Sequence, residues 1–286
     1  MNIFDTILVQ PLVNILVFFY SIIPLHDFGI AIILVTLLIR GVLWPLQSQT
    51  LRSQKGLTKL QPEIKKIQEK YKNDPKKVQE MTLELYKEKE VNPFSSCLPS
   101  LIQLPLLFAL YYAIMKFSDP SFIKLLSPNA GIWAYLYPWM RDLGFVKEAL
   151  SVPFNTYFLG IFNLANKALA STSPLVINKE VIITLLAGAT QFIQLRQVMA
   201  KQPGTQAGPT AALMYMMPLM ILYIGFILPA ALPLYWTVTT VLSYFQQWWV
   251  MRGDVEELDK EAIIEVEADE AKANQKKLQG KVKRNK

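Results

Sequence analysis

Arg40 is the residue around which chemistry could be organised. It stands in Leu37-Leu38-Ile39-Arg40-Gly41 and is the one charge well inside any apolar block. Lys116 and Arg196 sit near block ends, where a long side chain reaches the interface. A charged group at mid-bilayer costs on the order of 2.5–3.5 kcal/mol on insertion scales, so it has to meet water, polar groups or an opposite charge. No Asp or Glu falls inside a predicted span beyond Glu180, the first residue of the third. Water, neutral polar groups and a transient acidic partner are what remain; the plainer alternative is a structural arginine that snorkels.

Neutral polar residues recur at helical steps. Thr36, Arg40 and Gln47 share one face of a predicted helix, and Ser96, Ser100 and Gln103 share a face of the next. Thr184, Gly188 and Gln191 form a third stripe, and Trp236, Thr240, Ser243 and Gln247 a fourth. Four apolar helices with one polar stripe each point to a hydrated concavity between them. The competing reading is that these side chains only bind neighbouring helices.

Other chemistry is poorly supplied. The chain has one histidine, His26, and one cysteine, Cys97, so neither a metal cluster nor a nucleophile–base pair is apparent and no intrachain disulfide can form. His26 reads as a surface residue and Cys97 as an apolar filler. A Gly-rich phosphate loop is missing too. We therefore expect no catalytic residue, no cofactor and no metal.

The elements that must position these residues are membrane helices. Of 286 residues 52% are apolar and 18% charged, and the apolar residues cluster in blocks near the 20 or so needed to cross a bilayer. The net charge is +7, its largest share falling in residues 48–96, and the long apolar blocks argue against a direct nucleic-acid function. The expected fold class is an all-α polytopic membrane protein. Five transmembrane helices surround a hydrophilic groove, with a helical hairpin on the cytoplasmic side and an N-terminal interfacial helix.

In chain order, residues 1–27 read as a helix on the membrane surface, with a spanning anchor as the alternative; a secretory signal would need a basic start and a cleavage site. The first transmembrane helix is 28–47, ending near Trp44 and Pro45. Residues 48–97 follow as the hairpin, in which Leu57, Leu60, Ile64, Ile67 and Tyr71 form one apolar stripe and Val78, Met81 and Leu85 another. Asn73-Asp74-Pro75 is the turn between them, and Pro62 kinks or restarts the first arm. The second transmembrane helix is 98–117, the external segment 118–179, with a peripheral element at 154–165, and the third transmembrane helix 180–199. A loop at 200–210 leads to the fourth and fifth helices within 211–250, which break between Pro229 and Pro233. A charged tail, 251–286, is expected to be disordered.

Charge orients the scheme. Residues 48–96 carry eleven Lys/Arg and the tail from Arg252 nine, against four in the longer stretch 118–178. Basic loops stay cytoplasmic, so the N-terminus is expected outside, and the hairpin, the 200–210 loop and the C-terminus inside the cell.

Taken in order, several short stretches together resemble the YidC/Oxa/Alb insertase family across nearly the whole chain. They are Gly29-Ile30-Ala31-Ile32-Ile33 leading to Arg40, Pro45-Leu46, Leu60-Gln61-Pro62-Glu63, Asn92-Pro93, Phe158-Leu159-Gly160, Leu186-Ala187-Gly188-Ala189-Thr190-Gln191-Phe192, and Pro229 followed by Leu234-Tyr235-Trp236. The resemblance implies a membrane protein insertase whose groove opens to cytoplasm and lipid and is closed externally. It implies that Arg40 attracts acidic residues of an incoming chain, with Gln191 and Trp236 as matching groove residues. It further implies nascent membrane proteins and the lipid bilayer as partners, a hairpin that receives substrates, and a tail able to contact ribosomes. A Sec translocon is a further expected partner, and a single copy is expected to suffice. Relative to the family, the chain looks like a minimal bacterial form of the cell membrane, without the large external domain or the lipid-modified cysteine of other members. The alternative function is a small-anion transporter using Arg40.

Overall fold

The computed structural model describes residues 3–72, 74–89, 98–117, 119, 131–169, 178–201 and 209–250; side chains of 52–59, 61, 98–104, 106, 200–201 and 209–214 lie outside that description. The chain divides into two compact units, Met1–Tyr244 and Phe245–Lys286, and the described part of the second is the helical stretch 245–250. The predicted 251–286 tail lies outside the described residues, as do Asn92-Pro93 and most of the 200–210 loop.

The described residues are predominantly helical. A π-helical turn, Asp5–Val9, leads into α1 (Gln10–Ile22); α2 is Phe28–Lys59, α3 Gln61–Lys70, α4 Pro75–Glu88 and α5 Leu98–Phe117. Three short helices follow, α6 (Gly131–Tyr135), α7 (Pro138–Asp142) and α8 (Gly144–Ser151). A small antiparallel hairpin pairs β1 (Tyr157–Phe158) with β2 (Phe162–Asn163). Then come α9 (Val181–Lys201), α10 (Pro209–Ile227) and α11 (231–250).

Three stretches are long and apolar enough to cross a membrane, Asp5–Ile22, Phe28–Leu51 and Val181–Met199, and two shorter apolar helices are Leu107–Phe117 and Tyr215–Ile227. The helix carrying Arg40 does not end at Pro45 but runs on to Lys59. A helical proline costs a hydrogen bond and crowds the carbonyl four residues back. That carbonyl belongs to Gly41, and the helix runs through the proline without a break. The restart at Pro62 does occur, with the proline in the first turn of α3, where its missing N–H is not needed.

Buried apolar residues concentrate at one end of the helices. They comprise the inward face of α1 (Leu12, Val13, Leu16, Val17, Tyr20), the start of α2 (Phe28, Ala31, Ile32, Val35), the end of α5 (Leu110, Ile114, Phe117) and the start of α11 (Leu232, Leu234, Tyr235). Ile132, Met140 and Val146 of the short helices, with Leu136 between the first two, belong to the same core. Past this end the helices show large apolar side chains outward, among them Leu37, Leu38 and Val42 of α2, Leu185, Phe192 and Ile193 of α9, and Met216, Leu219 and Tyr223 of α10. Belts of this extent have lipid as their natural solvent.

Polar clamps fasten the packed end. Asn14, in the middle of the N-terminal helix, donates to the Tyr135 carbonyl and accepts from the Tyr137 amide, both at 2.8 Å, and donates to the Gln10 carbonyl at 2.7 Å. Asp27 caps α2 through Oδ1, accepting from the Ile30 amide at 2.9 Å, while Oδ2 accepts from the Leu159 amide at 2.6 Å. Glu180, 1% exposed, accepts from the Asn163 amide at 2.9 Å. The β-turn at Leu159-Gly160, both with positive φ, brings Phe158 onto α2. Gly29 makes room for it, since a Cβ there would overlap the Phe158 ring. The peripheral element expected at 154–165 is this hairpin. The break near Pro229 is covered by the same segment, with Ala230 and Ala231 donating to the carbonyls of Asn166 and Leu164 at 2.8 and 3.1 Å.

The helical arms α3 and α4 pair through a separate small core of Leu60, Ile64 and Leu85, flanked by Ile67 and Tyr86. Asp74 caps α4 by accepting from the Lys77 amide at 3.0 Å, as the Asn73-Asp74-Pro75 turn predicts.

Two outcomes follow. Asn14→Leu removes the bonds to the Tyr135 carbonyl and the Tyr137 amide, at about 1–3 kcal/mol for a buried group that loses its partner, so unfolding in detergent followed by Trp fluorescence moves to lower temperature; Ser21→Ala, which removes a buried hydroxyl that has no partner among the described residues, leaves it unchanged or raises it. Leu85→Asp puts a charge into a three-residue core and should speed amide exchange of residues 61–88 more than tenfold, with exchange of α1 and α2 near Phe28 unaltered.

Candidate functional site

Arg40 lies on α2 beyond the packed end. Its side chain is half-buried and runs toward the helix C-terminus, where Nη1 donates to Gln47 Oε1 at 2.7 Å. The i to i+7 spacing places the two side chains two turns apart on one face, a gap that an extended arginine closes. Among the described residues no carboxylate pairs with the guanidinium. The phenol of Tyr235, on α11, lies within electrostatic range of it. The first stripe is therefore brought together only in part. Thr36 is 2% exposed and its hydroxyl donates to the Ile32 carbonyl at 2.7 Å, back along its own helix.

A second pair forms across helices. Thr240 of α11 donates to Gln191 Oε1 of α9 at 3.2 Å. Ser243 donates to the Thr239 carbonyl at 2.9 Å. Trp236 is half-buried and packs on the main core, so it stands between the closed end and this polar pair. Gln247 belongs to the second compact unit. Of the second stripe nothing is seen: the side chains of Ser100 and Gln103, and all of Ser96 and Cys97, lie outside the described residues.

The third stripe splits between two jobs. Thr184, fully buried, donates to the Gly225 carbonyl at 3.1 Å. A Cβ at Gly188 would overlap the Leu222 side chain, and one at Gly225 would come within 2.9 Å of Thr184 Cγ2. Thr184 and Gly188 thus serve close packing of α9 on α10, the small-residue contact common between membrane helices. Gln191, one turn further, is the polar member of that stripe that turns to α11.

Two further residues lie outside the predicted stripes. Tyr235 and Thr239 form with Ser243 a row at steps of four on α11, one residue back from the Trp236–Thr240 stripe. Ser243 was read only with the neighbouring stripe, though stepping back four at a time from it finds both. Thr239 is 8% exposed, and its hydroxyl has no hydrogen-bond partner among the described residues. No group of three or more His, Cys, Asp or Glu able to hold a metal ion occurs among the described residues.

The arrangement offers one cation, a few neutral donors and acceptors, and no nucleophile with a base. It can attract and orient polar segments of another chain, which is recognition and not bond chemistry.

Comparison with known proteins agrees with that limit. Residues 18–257 match the family described as 60Kd inner membrane protein. The membrane protein insertase YidC of Clostridium tetani is 34% identical over 223 residues, 78% of this chain and 81% of that protein. The protein of the same name from Oleidesulfovibrio alaskensis is 32% identical over 247 residues, 86% of this chain but 39% of its own length. That of Leptospira interrogans is 34% identical over 222 residues, covering 78% of this chain and 30% of the relative. The chain thus spans four-fifths of one relative and less than two-fifths of the longer ones. These relatives carry the name of insertases, which points away from an enzyme and gives the anion-carrier reading no support. With its apolar helices, the match makes this a multi-pass protein of the bacterial inner membrane. The chain belongs to the YidC family of membrane protein insertases, the 60Kd inner membrane proteins.

Proposed function

We propose that this chain receives hydrophobic segments of nascent membrane proteins in a hydrated groove within the membrane and releases them sideways into lipid. Arg40, Gln47, Gln191, Trp236, Thr240 and Ser243 line the groove, with Thr36, Ser100 and Gln103 completing its polar wall. The observation that carries this reading is Arg40 itself, a half-buried cation whose described hydrogen bond is to one neutral amide. Its charge is left to be balanced by something that comes and goes. The orphan hydroxyl of Thr239 supports the same reading, because buried polar groups are satisfied by water or by a visiting backbone.

Five spans complete the proposal, at 28–47, 98–117, 180–199 and twice within 211–250. The packed end is external, covered by segment 118–179, and the hairpin 48–97, the loop 200–210 and the tail 251–286 are cytoplasmic. Helix α1 is interfacial. Asn14, near the middle of the helical stretch Asp5–Ile22, is tied to Tyr135 and Tyr137 of the external segment, whereas the midpoint of a spanning helix would lie about 15 Å inside the hydrocarbon. The apolar packing at this end and the polar pairs beyond it support a groove shut outside and open inside.

The mechanism follows from solvation. A polar segment entering the groove keeps part of its hydration and avoids the cost of an unpaired polar group in hydrocarbon. A carboxylate on that segment is drawn to Arg40 more strongly than it would be in bulk water. The adjoining apolar segment then leaves between the helices into lipid, driven by its own burial. No nucleotide is required for these steps. The hairpin meets substrates first, the charged tail, with its Lys/Arg clustered at the end, contacts the ribosome, and one copy suffices, alone or beside a Sec translocon.

In proteoliposomes, insertion of a single-span test protein with an acidic external segment should fall about tenfold with Arg40→Ala, equivalent to roughly 1.4 kcal/mol, and stay near wild type with Arg40→Lys. Neutralising the test protein's acidic residues should make wild type and Arg40→Ala equal. Full activity of Arg40→Ala on the acidic substrate would remove the electrostatic role.

A further inference from the structure

A second polar feature lies away from the Arg40 site. Phe4 and Asp5, at the start of the N-terminal helix, face Phe108, Tyr112 and Lys116 of α5 across an open cavity of about 540 Å³. The last three recur every four residues, so they form one row down α5 that ends in its last turn. The cavity has aromatic walls, with Phe4 and Tyr112 in edge-to-face contact at 5.9 Å. Its charged groups are one carboxylate and one ammonium. The Lys116 ammonium also sits over the Tyr135 ring at 4.6 Å, which fixes its position.

Depth and charge together specify an occupant. Phe108 and Tyr112 are 54% and 49% exposed, and Ile3 and Ile7 beside Asp5 are 79% and 64% exposed. These are surfaces for acyl chains, with the charges at the level where a helix meets the headgroups. An anionic headgroup would gain from Lys116 and lose to Asp5. A zwitterion with an outer primary amine and an inner phosphate matches both, the phosphate taking hydrogen bonds from Lys116 and the amine giving them to Asp5. Neither residue need be without other partners, since an ammonium donates three hydrogen bonds and a carboxylate accepts about four.

We propose that the cavity between the start of the N-terminal helix and the end of α5 is a binding site for one zwitterionic aminophospholipid of the phosphatidylethanolamine class, its headgroup held between Asp5 and Lys116 and one chain lying along Phe108 and Tyr112. The lipid would act as a wedge seating the N-terminal helix on α5. The inference rests on the membrane placement above but not on the insertion mechanism.

The test is native mass spectrometry of the full chain in detergent, titrated with phosphatidylethanolamine or phosphatidylglycerol of matched chains, and with chain-free glycerophosphoethanolamine. The wild type should retain one phosphatidylethanolamine about tenfold better than phosphatidylglycerol, and the chain-free headgroup should not be retained. Asp5→Asn should abolish the preference, Lys116→Gln should lower retention of both lipids, and Phe108→Ala, at an exposed position, should weaken retention several-fold without lowering the unfolding temperature. Equal retention of the two lipids by wild type, a preference unchanged in Asp5→Asn, or retention unchanged in Phe108→Ala overturns the site. Arg40→Ala should leave lipid retention untouched, so this inference and the insertase mechanism fail separately.

Discussion

A guanidinium in an apolar span has to be solvated by something, and the rest of this protein is arranged around how Arg40 meets that demand. Gln47 takes one of its five N–H groups, at 2.7 Å. The remaining demand is for water or for a partner from outside, and either requires a polar path to the residue. Lipid can be tolerated on the outer faces of α2, α9 and α10, where Leu37, Leu38, Phe192, Ile193 and Tyr223 are exposed, but not on the face that carries Arg40.

The same demand explains why one end of the helices is so heavily fastened. A polar path that ran through the membrane would be a leak. Asn14, Asp27 and Glu180 each tie a helix to backbone of the segment between α5 and α9, and Tyr20 accepts from the Asn155 amide at 2.7 Å. Phe154 stacks between Tyr20 and Phe117 at 4.1 and 5.1 Å. Buried polar groups satisfied by backbone, with aromatic filling between them, make a rigid plug. In the proposed arrangement, closure at one end lets the groove stay wet without joining the two sides.

Arg40, Gln191 and Thr240 were legible in the sequence as candidates because a charge or polar group in an apolar run stands out and helical spacing says which others share its face; that Gln191 and Thr240 meet across helices was not. The hairpin was legible for the same reason, since the Leu60, Ile64 and Leu85 spacing reads as a seam and Asp74-Pro75 as a cap. What spacing could not separate was a polar residue serving a groove from one serving a neighbouring helix. Thr184 and Gly188 look like Gln191 in a helical projection, and only the approach of Leu222 and Gly225 distinguishes them. Nor could it foresee that α2 continues through Pro45 to Lys59. The clamps at Asn14 and Asp27 join positions more than 120 residues apart, and no local period encodes such a pair.

The central claim is that water reaches the faces of α9 and α11 that bear Gln191 and Ser243. It is tested most directly by placing single cysteines in a Cys97→Ser background and measuring reaction rates with a charged methanethiosulfonate reagent, which attacks only hydrated thiolates, in proteoliposomes. The account predicts that Gln191→Cys and Ser243→Cys react within about tenfold of an exposed hairpin control, Lys87→Cys, while Leu185→Cys and Ile193→Cys on the lipid side do not react. If all four membrane positions stay unreactive, the groove is dry and the account is contradicted.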